Sequence, residues 1–313
     1  MKTWLYFTAG SLIALSAGLI IAGKSEQTST VTNNPNAVLS VPNMPTELVF
    51  AGEKVPMTEA EVMERLDREL LVNTFWHSNT ILMLKRANRY FPVIEPILKS
   101  EGVPDDFKYL CMIESGLANV VSPSNAAGFW QFLSSTGKRY GLEVSGEVDE
   151  RYHLEKATKA ACAYLKDNKA RLGTWTLAAA AYNMGENGVE KQLKSQGVDS
   201  YYDLHLNPET ARYLFRILAA KEIHSDAKKY GFKLSEETLY QPYKTRSIEV
   251  KGAVESWPEF ALEQGTNYKY LKILNPWIRD RKMKNSLGTS YTVLLPNNTK
   301  TGIKKELEEG SDE

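Results

Sequence analysis

From about residue 47 to residue 235 the sequence carries only helix signals, which narrows the possible folds more than any other feature. Thr58 followed by Glu61 is typical of a helix start, because both side chains can accept hydrogen bonds from free backbone N–H groups there. Asn207 followed by Pro208 is another start signal, with a capping side chain and a residue preset for the first turn. We therefore predict an all-helical domain over residues 47–235.

The pattern changes after residue 240, where apolar and polar side chains begin to alternate. Residues 245–250 and 290–295 alternate with the period of a half-buried strand. Two short helical patterns lie between them, around residues 257–264 and 269–274. The sequence thus predicts a small β-α-α-β module over residues 245–297, and a mainly α protein as a whole.

Both ends of the chain differ from the part that is predicted to fold. Residues 1–24 contain an apolar run between Lys2 and Lys24, as in a secretory signal peptide or an N-terminal membrane anchor. Residues 25–46 are rich in Ser, Thr, Asn and Pro and predict a flexible linker. Residues 298–313 predict an acidic tail. We expect the remainder to be exported, with a membrane tether if the apolar run is not cleaved.

The composition argues against several functional classes. With 38 Lys and Arg against 38 Asp and Glu, the chain lacks the basic surplus of a nucleic-acid-binding protein. Two Cys and four His, at spacings that fit no helical metal pair, lead us to expect no metal and no organic cofactor. Cys111 and Cys162 are either buried free thiols or, in an exported protein, a disulfide.

Glu114 is the first candidate for a catalytic residue. It lies near the end of a helix predicted between Pro104 and Gly116, on a face whose other residues are apolar: Phe107, Leu110 and Cys111. Desolvation there raises the pKa of a carboxyl, as a general acid near neutral pH requires. The alternative is a structural Glu paired with a Lys, which the pattern alone favours.

Residues 126–132 form the second candidate. Gly128 allows a backbone to approach a ligand closely, and Gln131 offers both a donor and an acceptor. The neighbouring rings of Phe129 and Trp130 can stack on sugars. The alternative interpretation is a turn that leads into a buried aromatic helix.

The third candidate lies at the end of a later predicted helix. Tyr182 and Asn183 are two polar side chains beside a core face, and Gly185 follows as a terminator. Such an arrangement suits a cleft. The alternative is a buried Tyr next to an Asn that caps the helix.

Four short motifs follow one another along the chain: Glu114-Ser115-Gly116, Gly128-Phe129-Trp130-Gln131-Phe132, Ala181-Tyr182-Asn183-Met184-Gly185 and Tyr213. In this order they resemble the soluble-lytic-transglycosylase family and, within it, the membrane-bound lytic murein transglycosylase D group. The resemblance covers roughly residues 44–221. Phe129 departs from the family pattern, which has Leu, Ile or Met there, and we expect this change to affect subsite preference.

The resemblance implies a lysozyme-like helical catalytic domain of the goose-lysozyme type, with its core over about residues 92–225. It also implies cleavage of the bond between MurNAc and GlcNAc in peptidoglycan, in the periplasm or cell envelope. Glu114 would act first as acid and then as base, and the product would carry a 1,6-anhydro-MurNAc end. The expected partners are peptidoglycan glycan strands, and the sequence identifies no protein partner.

The resemblance also implies the roles of the other site residues. Ser115 would hold the Glu114 carboxyl, and Tyr213 would steady it. The substrate would contact the remaining residues of the motifs: Gly128, Trp130, Gln131, Tyr182 and Asn183. Two alternatives stay open, a muramidase-type hydrolase with a second carboxylate and a non-catalytic wall-binding scaffold. Asp149 is a poor second carboxylate, since we expect it to pair with Arg151.

The C-terminal module resembles a degenerate LysM module. The resemblance lies in residues 266–277 and 291–296, whereas the usual Gly-Asp-Thr-Leu turn is replaced by residues 252–257. LysM modules bind N-acetylglucosamine chains. For this module, glycan binding and a purely structural role both remain open.

Overall fold

The computed structural model describes residues 41, 43–286 and 288–297, which belong to one compact unit. The predicted targeting segment, most of the predicted linker and the predicted acidic tail lie outside the described residues. Within these described ranges, no helix combines the length and the apolar composition that crossing a membrane requires.

The predicted mainly helical character of this region is confirmed by the order of its elements. Up to residue 225, the described chain contains eight α-helices: α1 Ala60–Phe75, α2 His77–Ser100, α3 Phe107–Ser115, α4 Ser134–Arg139, α5 Leu154–Leu172, α6 Trp175–Met184, α7 Glu186–Gln196 and α8 Pro208–Ser225. Short 3-10 turns lie at Glu150–Tyr152, Tyr201–Asp203 and Glu236–Thr238.

A short β-hairpin precedes these helices and was not predicted. Its strands pair antiparallel, β1 Val49–Phe50 with β2 Glu53–Lys54. The two residues between them, Ala51 and Gly52, both have positive φ angles, of 51° and 82°, which fits a two-residue hairpin turn. The hairpin joins the core because the ring of Phe50 is buried against that of Phe107.

The predicted helix starts are confirmed in one case and corrected in another. The side chain of Asn207 accepts hydrogen bonds from the N–H groups of Glu209 and Thr210, so it caps α8 as predicted. At α1 the capping position belongs to Glu59, which makes no side-chain capping bond. The capping box predicted at Thr58 is therefore wrong, although the helix starts two residues later.

The helices pack into one core around small and aromatic residues. α1 packs on α8, α5 packs on α6 and on α2, and α3 lies against α8. The run of alanines from 178 to 181 in α6 is fully buried, which lets α5 approach closely. α3 and α8 carry Glu114 and Tyr213, so this packing brings the first and last motifs together.

The C-terminal module has the predicted β-α-α-β order: β3 Thr245–Val250, α9 Trp257–Glu263, α10 Tyr268–Leu274 and β4 Tyr291–Pro296. β3 and β4 pair antiparallel, with Val250 opposite Tyr291. Ser256 and Asn267 cap the two helices through their side chains. The module has its own hydrophobic cluster, in which Trp257, Leu271 and Val293 are fully buried.

Candidate active site

Glu114 lies in the last turn of α3, where the predicted buried stripe ends. Gly116 follows the helix with a φ of 59°, and its N–H donates to the carbonyl of Met112 at 2.8 Å. Leu110 and Cys111 are fully buried beneath this turn, whereas the side chain of Glu114 is half-buried. The carboxyl thus has a low-polarity environment and retains contact with solvent.

Tyr213 on α8 directly contacts this carboxyl. Its hydroxyl donates a hydrogen bond to Oε1 of Glu114, and the residue is only 1% exposed. The pKa of Glu114 is raised above its ordinary value, and desolvation by burial is the largest cause. The Tyr213 hydrogen bond and the Arg216 guanidinium lower this pKa, but they do not cancel the effect of burial.

Two further residues of α8 act on Glu114, and our sequence analysis missed their role. The charge of Glu209 raises the pKa of Glu114, and the charge of Arg216 lowers it. Arg216 also donates to the carbonyl of Ile113 at 3.0 Å, next to the acid. Helical spacing could have identified both, since they lie four residues before and three residues after Tyr213.

Ser115 is not bonded to the Glu114 carboxyl, contrary to what the resemblance implied. It is buried, and its hydroxyl donates to the carbonyl of Cys111 at 3.3 Å, one helical turn earlier. Ser115 therefore stabilises the end of α3 rather than contacting the acid or a ligand.

The rings of the second motif are part of the core. Trp130 is 0% exposed, and its Nε1 donates to Oγ1 of Thr158 at 2.9 Å. Phe129 is 3% exposed and packs edge-on against Tyr90 at 4.7 Å between ring centroids. The burial of both rings favours the alternative interpretation, a buried aromatic cluster, over stacking on sugars.

Gly128 is required by a contact within the protein. Its φ is 80°, and a Cβ at this position would lie 1.9 Å from the carbonyl oxygen of Arg151. The close backbone approach that we predicted at this glycine is thus made to Arg151 and not to a ligand.

Gln131 is the residue of this motif that remains available to a ligand. Its φ is 48°, unusual for a residue with a side chain. Its Nε2 donates to the carbonyls of Gly128, at 2.7 Å, and Val120, at 3.0 Å. Among the described residues none donates to its Oε1, and the side chain is half-buried. The amide oxygen can therefore accept a hydrogen bond from a ligand.

Tyr182 joins the second motif to the third. Its hydroxyl donates to the carbonyl of Trp130 at 2.7 Å, and its ring lies among those of Trp130, Phe132 and Tyr164. The pKa of this hydroxyl is raised well above its ordinary value, first by burial and then by the charge of Glu114. Tyr182 is therefore close enough to Glu114 for the two groups to interact.

Asn183 connects the end of α6 to the start of α8. Its Oδ1 accepts from Oγ1 of Thr210 at 2.7 Å, and its Nδ2 donates to Oε1 of Glu209 at 3.3 Å. The side chain is half-buried. Asn183 thus orients Glu209 and leaves one amide hydrogen for a further acceptor.

The remaining candidates are structural. The Asp149 carboxylate pairs with the Arg151 guanidinium at 2.7 Å, as expected, and both side chains are nearly buried. Cys111 and Cys162 are buried free thiols, and burial raises the pKa of both, that of Cys162 to about 12. Across the described part of the chain, no group of three or more His, Cys, Asp or Glu side chains could hold a metal ion.

The site therefore consists of a half-buried acid on α3, a buried Tyr on α8 that donates to it, and an adjoining turn with a free amide acceptor. With the helical core around it, this arrangement defines a lysozyme-like domain.

Comparison with known families identifies the domain more closely. Residues 91–204 match the family model of the transglycosylase SLT domain, and residues 246–299 match that of the soluble lytic transglycosylase C-terminal LysM-like domain. The chain thus contains an SLT-type domain followed by a LysM-like domain, which confirms the resemblance drawn from the motifs. The first match includes Glu114, Gln131 and Tyr182 and ends before Tyr213.

Two relatives are similar over most of this chain. It is 28% identical over 270 residues to membrane-bound lytic murein transglycosylase D of Escherichia coli K12, across 83% of this chain and 58% of that protein. The protein of the same name from Escherichia coli O6:H1 gives the same values. The chain therefore spans less than two thirds of the length of these relatives.

Proposed function

We propose that this protein is a lytic transglycosylase that cleaves the β-1,4 bond between MurNAc and GlcNAc in peptidoglycan. The observation that carries the proposal is the Glu114 carboxyl, whose pKa is raised by burial and to which Tyr213 donates a hydrogen bond. Its position within the range that matches the SLT domain, and the name of the relatives, support the same activity.

The reaction needs one carboxyl when the nucleophile belongs to the substrate. Glu114 in its protonated form donates its proton to the leaving glycosidic oxygen, and the C1–O bond breaks. The resulting carboxylate then takes the proton of the MurNAc C6 hydroxyl, and O6 bonds to C1. The product is a 1,6-anhydro-MurNAc end, and Glu114 is protonated again.

The raised pKa of Glu114 suits the first step, because the acid form persists to higher pH than that of an ordinary Glu. Tyr213 and Arg216 suit the second step, because they stabilise the carboxylate after proton transfer. Burial thus raises the pKa of Glu114, whereas Tyr213 and Arg216 lower it. The same carboxyl must act in both its protonated and its charged form.

We propose that Gln131 binds the acetamido group of the substrate. Its Nε2 already donates hydrogen bonds to two backbone carbonyls, so Oε1 is the atom that is free for a ligand. An amide oxygen can only accept a hydrogen bond, here from an N–H or O–H of the substrate. Two further side chains lie beside this region. The Tyr182 hydroxyl donates to the carbonyl of Trp130, and the Asn183 amide donates to Glu209. In this proposal Gly128, Trp130 and Ser115 shape the site without touching the substrate.

We also propose that the protein acts in the periplasm or cell envelope. The relatives are named membrane-bound, and the apolar run of residues 3–23 would serve as a tether if it is not cleaved. The match of residues 246–299 to a LysM-like domain supports contact with glycan strands.

A muramidase-type hydrolase is the second candidate, and one observation favours it. Glu209 is an exposed carboxylate whose charge raises the pKa of Glu114, so it is the candidate for a second carboxylate that serves an attacking water. Asp149 is a weaker choice because its carboxylate is bound to Arg151.

Mass spectrometry of fragments released from purified peptidoglycan by the full-length protein tests both candidates. We expect fragments lighter by one water than hydrolytic products, and a loss of about 10²–10⁴-fold in their release by Glu114→Gln. Glu222→Gln is the matched control, since Glu222 is also a half-buried Glu with a raised pKa. Hydrated reducing ends that disappear in Glu209→Gln would support the hydrolase, and wall binding without release would support a scaffold.

A further inference from the structure

The C-terminal module is joined through its backbone to the segment between α4 and α5. Val148 forms an antiparallel bridge with Ile278 of the module. The N–H of Asp149 donates to the carbonyl of Trp277 at 2.9 Å, and the N–H of Arg279 donates to the carbonyl of Glu147 at 2.8 Å. We call residues 143–152 the bracing segment.

Side chains extend this contact at both ends of the bracing segment. The hydroxyl of Tyr291 donates to Oε2 of Glu143 at 2.7 Å, and the N–H of Lys284 donates to Oε2 of Glu147 at 2.9 Å. The Arg279 guanidinium lies 4.1 Å from the ring centroid of Tyr152. The module therefore contacts the bracing segment along its whole length.

The bracing segment also contacts the turn that carries Gln131. Nη1 of Arg151 donates to the carbonyls of Asn125, at 2.9 Å, and Phe132, at 3.0 Å. Asp149 fixes this guanidinium, with its Oδ1 at 3.0 Å from Nε and its Oδ2 at 2.7 Å from Nη2. One planar side chain thus links the tip and the end of the turn.

The turn also takes part in the hydrophobic cluster of the module. Ala127 is 1% exposed and belongs to the same cluster as Trp257, Ile278 and Val148, while its neighbour Gly128 lies against the backbone of Arg151. Ala127 and Gly128 are four and three residues from Gln131, respectively. Part of the turn that carries Gln131 is therefore packed on the module rather than on the helical core.

We propose that the C-terminal module positions the Gln131 turn, with Asp149 and Arg151 as positioning residues that connect the two. The role of Gln131 in substrate binding rests on the function proposed above, whereas the mechanical link does not. Gln131 has a backbone conformation that is unfavourable for a side-chain-bearing residue, so it needs external contacts to persist. The bracing segment and the module supply those contacts, which gives the module a role in positioning a substrate-binding residue.

Three variants of the full-length protein test this link. Arg151→Lys removes the fork that joins Asp149 to the two turn carbonyls. The double variant Glu147→Ala/Tyr291→Phe weakens the module contact and leaves Arg151 unchanged. Lys221→Gln is the control, because Lys221 also links a partly buried carboxylate, that of Asp106, to a backbone carbonyl, remote from the turn.

Hydrogen–deuterium exchange without substrate gives the first measurement. We expect Arg151→Lys and the double variant to speed exchange over residues 120–132 about tenfold, with α3 and α8 unchanged. We expect Lys221→Gln to leave residues 120–132 as in the unchanged protein. If the double variant speeds exchange in the module alone, the module does not position the turn and the proposal is overturned.

Kinetics of fragment release give the second measurement. A displaced turn should raise KM about tenfold with a smaller change in kcat, because Glu114 and Tyr213 keep their geometry. A loss in kcat with no change in KM would contradict the positioning of a binding residue. If the unchanged protein releases no fragments, the proposed activity fails, and the exchange experiment still decides whether the module holds the turn.

Discussion

The hydroxyl of Tyr213 on α8 donates a hydrogen bond to the carboxyl of Glu114 on α3, across 99 positions of sequence. The two helices pack on each other, so the protonation of the candidate acid depends on a tertiary contact. A second Tyr links the same helices, since the Tyr109 hydroxyl lies 3.2 Å from Nδ1 of His224. This second contact allows the role of the first to be tested against a matched control.

Replacing Tyr213 by Phe should lower kcat and change the pH profile. The hydrogen bond lowers the pKa of Glu114, so its loss raises that pKa, and activity that needs the protonated acid persists to higher pH. We expect kcat to fall about 10–100-fold, because one hydrogen bond to a reacting charge is lost. Tyr109→Phe should leave the pH profile unchanged, and a profile unaltered in Tyr213→Phe would contradict the assignment.

Replacing Glu114 by Gln should stabilise the fold at neutral pH. The pKa of Glu114 is raised above its ordinary value of 4.5, so the folded state binds this proton more tightly than the unfolded state. The stability from this group is complete below pH 4.5 and is lost as the pH rises through the folded pKa. Thermal unfolding should therefore show equal Tm values at low pH and a higher Tm for Glu114→Gln at pH 7.

Glu237 provides the comparison of opposite sign, because hydrogen bonds lower the pKa of its exposed carboxyl. Glu237→Gln should give no gain in Tm as the pH rises. A gain for Glu114→Gln that is the same at every pH would show that packing, rather than the buried charge, causes it.

Gly128 and Gly146 should differ sharply in their tolerance of a methyl group. At Gly128 the new Cβ would meet the Arg151 carbonyl oxygen at 1.9 Å with φ at 80°, so Gly128→Ala should cost about 3 kcal/mol or more. At Gly146 nothing lies within 4 Å, and Gly146→Ala should change stability by about 0.5 kcal/mol at most. Urea unfolding followed by circular dichroism compares the two variants, and similar midpoints would be inconsistent with the close contact.

Local patterns were enough to predict the helices and the position of the acid. The apolar stripe of Phe107, Leu110 and Cys111 and the terminator at Gly116 place Glu114 at a buried helix end, as the structure has it. Such signals lie within a few residues of each other, so one segment contains them all. The hairpin at residues 49–54 was missed because each of its strands has only two residues.

The roles of the residues in the second motif could not be read locally. Gly128 is explained by Arg151, and Trp130 by Thr158, both more than 20 residues away in sequence. A Gly or a Trp that contacts such a distant partner has the same local pattern as one that contacts a ligand. Motif resemblance therefore pointed to these residues as a group but could not separate those that pack within the protein from those that remain open to a ligand.

Thr158→Val tests the structural role of Trp130. Thr158 is fully buried, and its hydroxyl accepts from Nε1 of Trp130 at 2.9 Å and donates to the carbonyl of Leu154 at 2.7 Å. Valine keeps the shape but leaves the indole N–H unpaired in the core, which should cost about 1–3 kcal/mol of stability. KM should not change, because the indole is 0% exposed and cannot reach the substrate.

Gln131→Ala should show the opposite behaviour. The variant lacks the free Oε1 acceptor, so KM should rise about tenfold while the core around Trp130 is untouched.

Thr158→Ser is the control for Thr158→Val, since it retains the hydroxyl and should keep the indole paired. A rise in KM for Thr158→Val at a temperature where the variant is fully folded would mean that Trp130 acts on the substrate, and the core assignment of this ring would then be wrong.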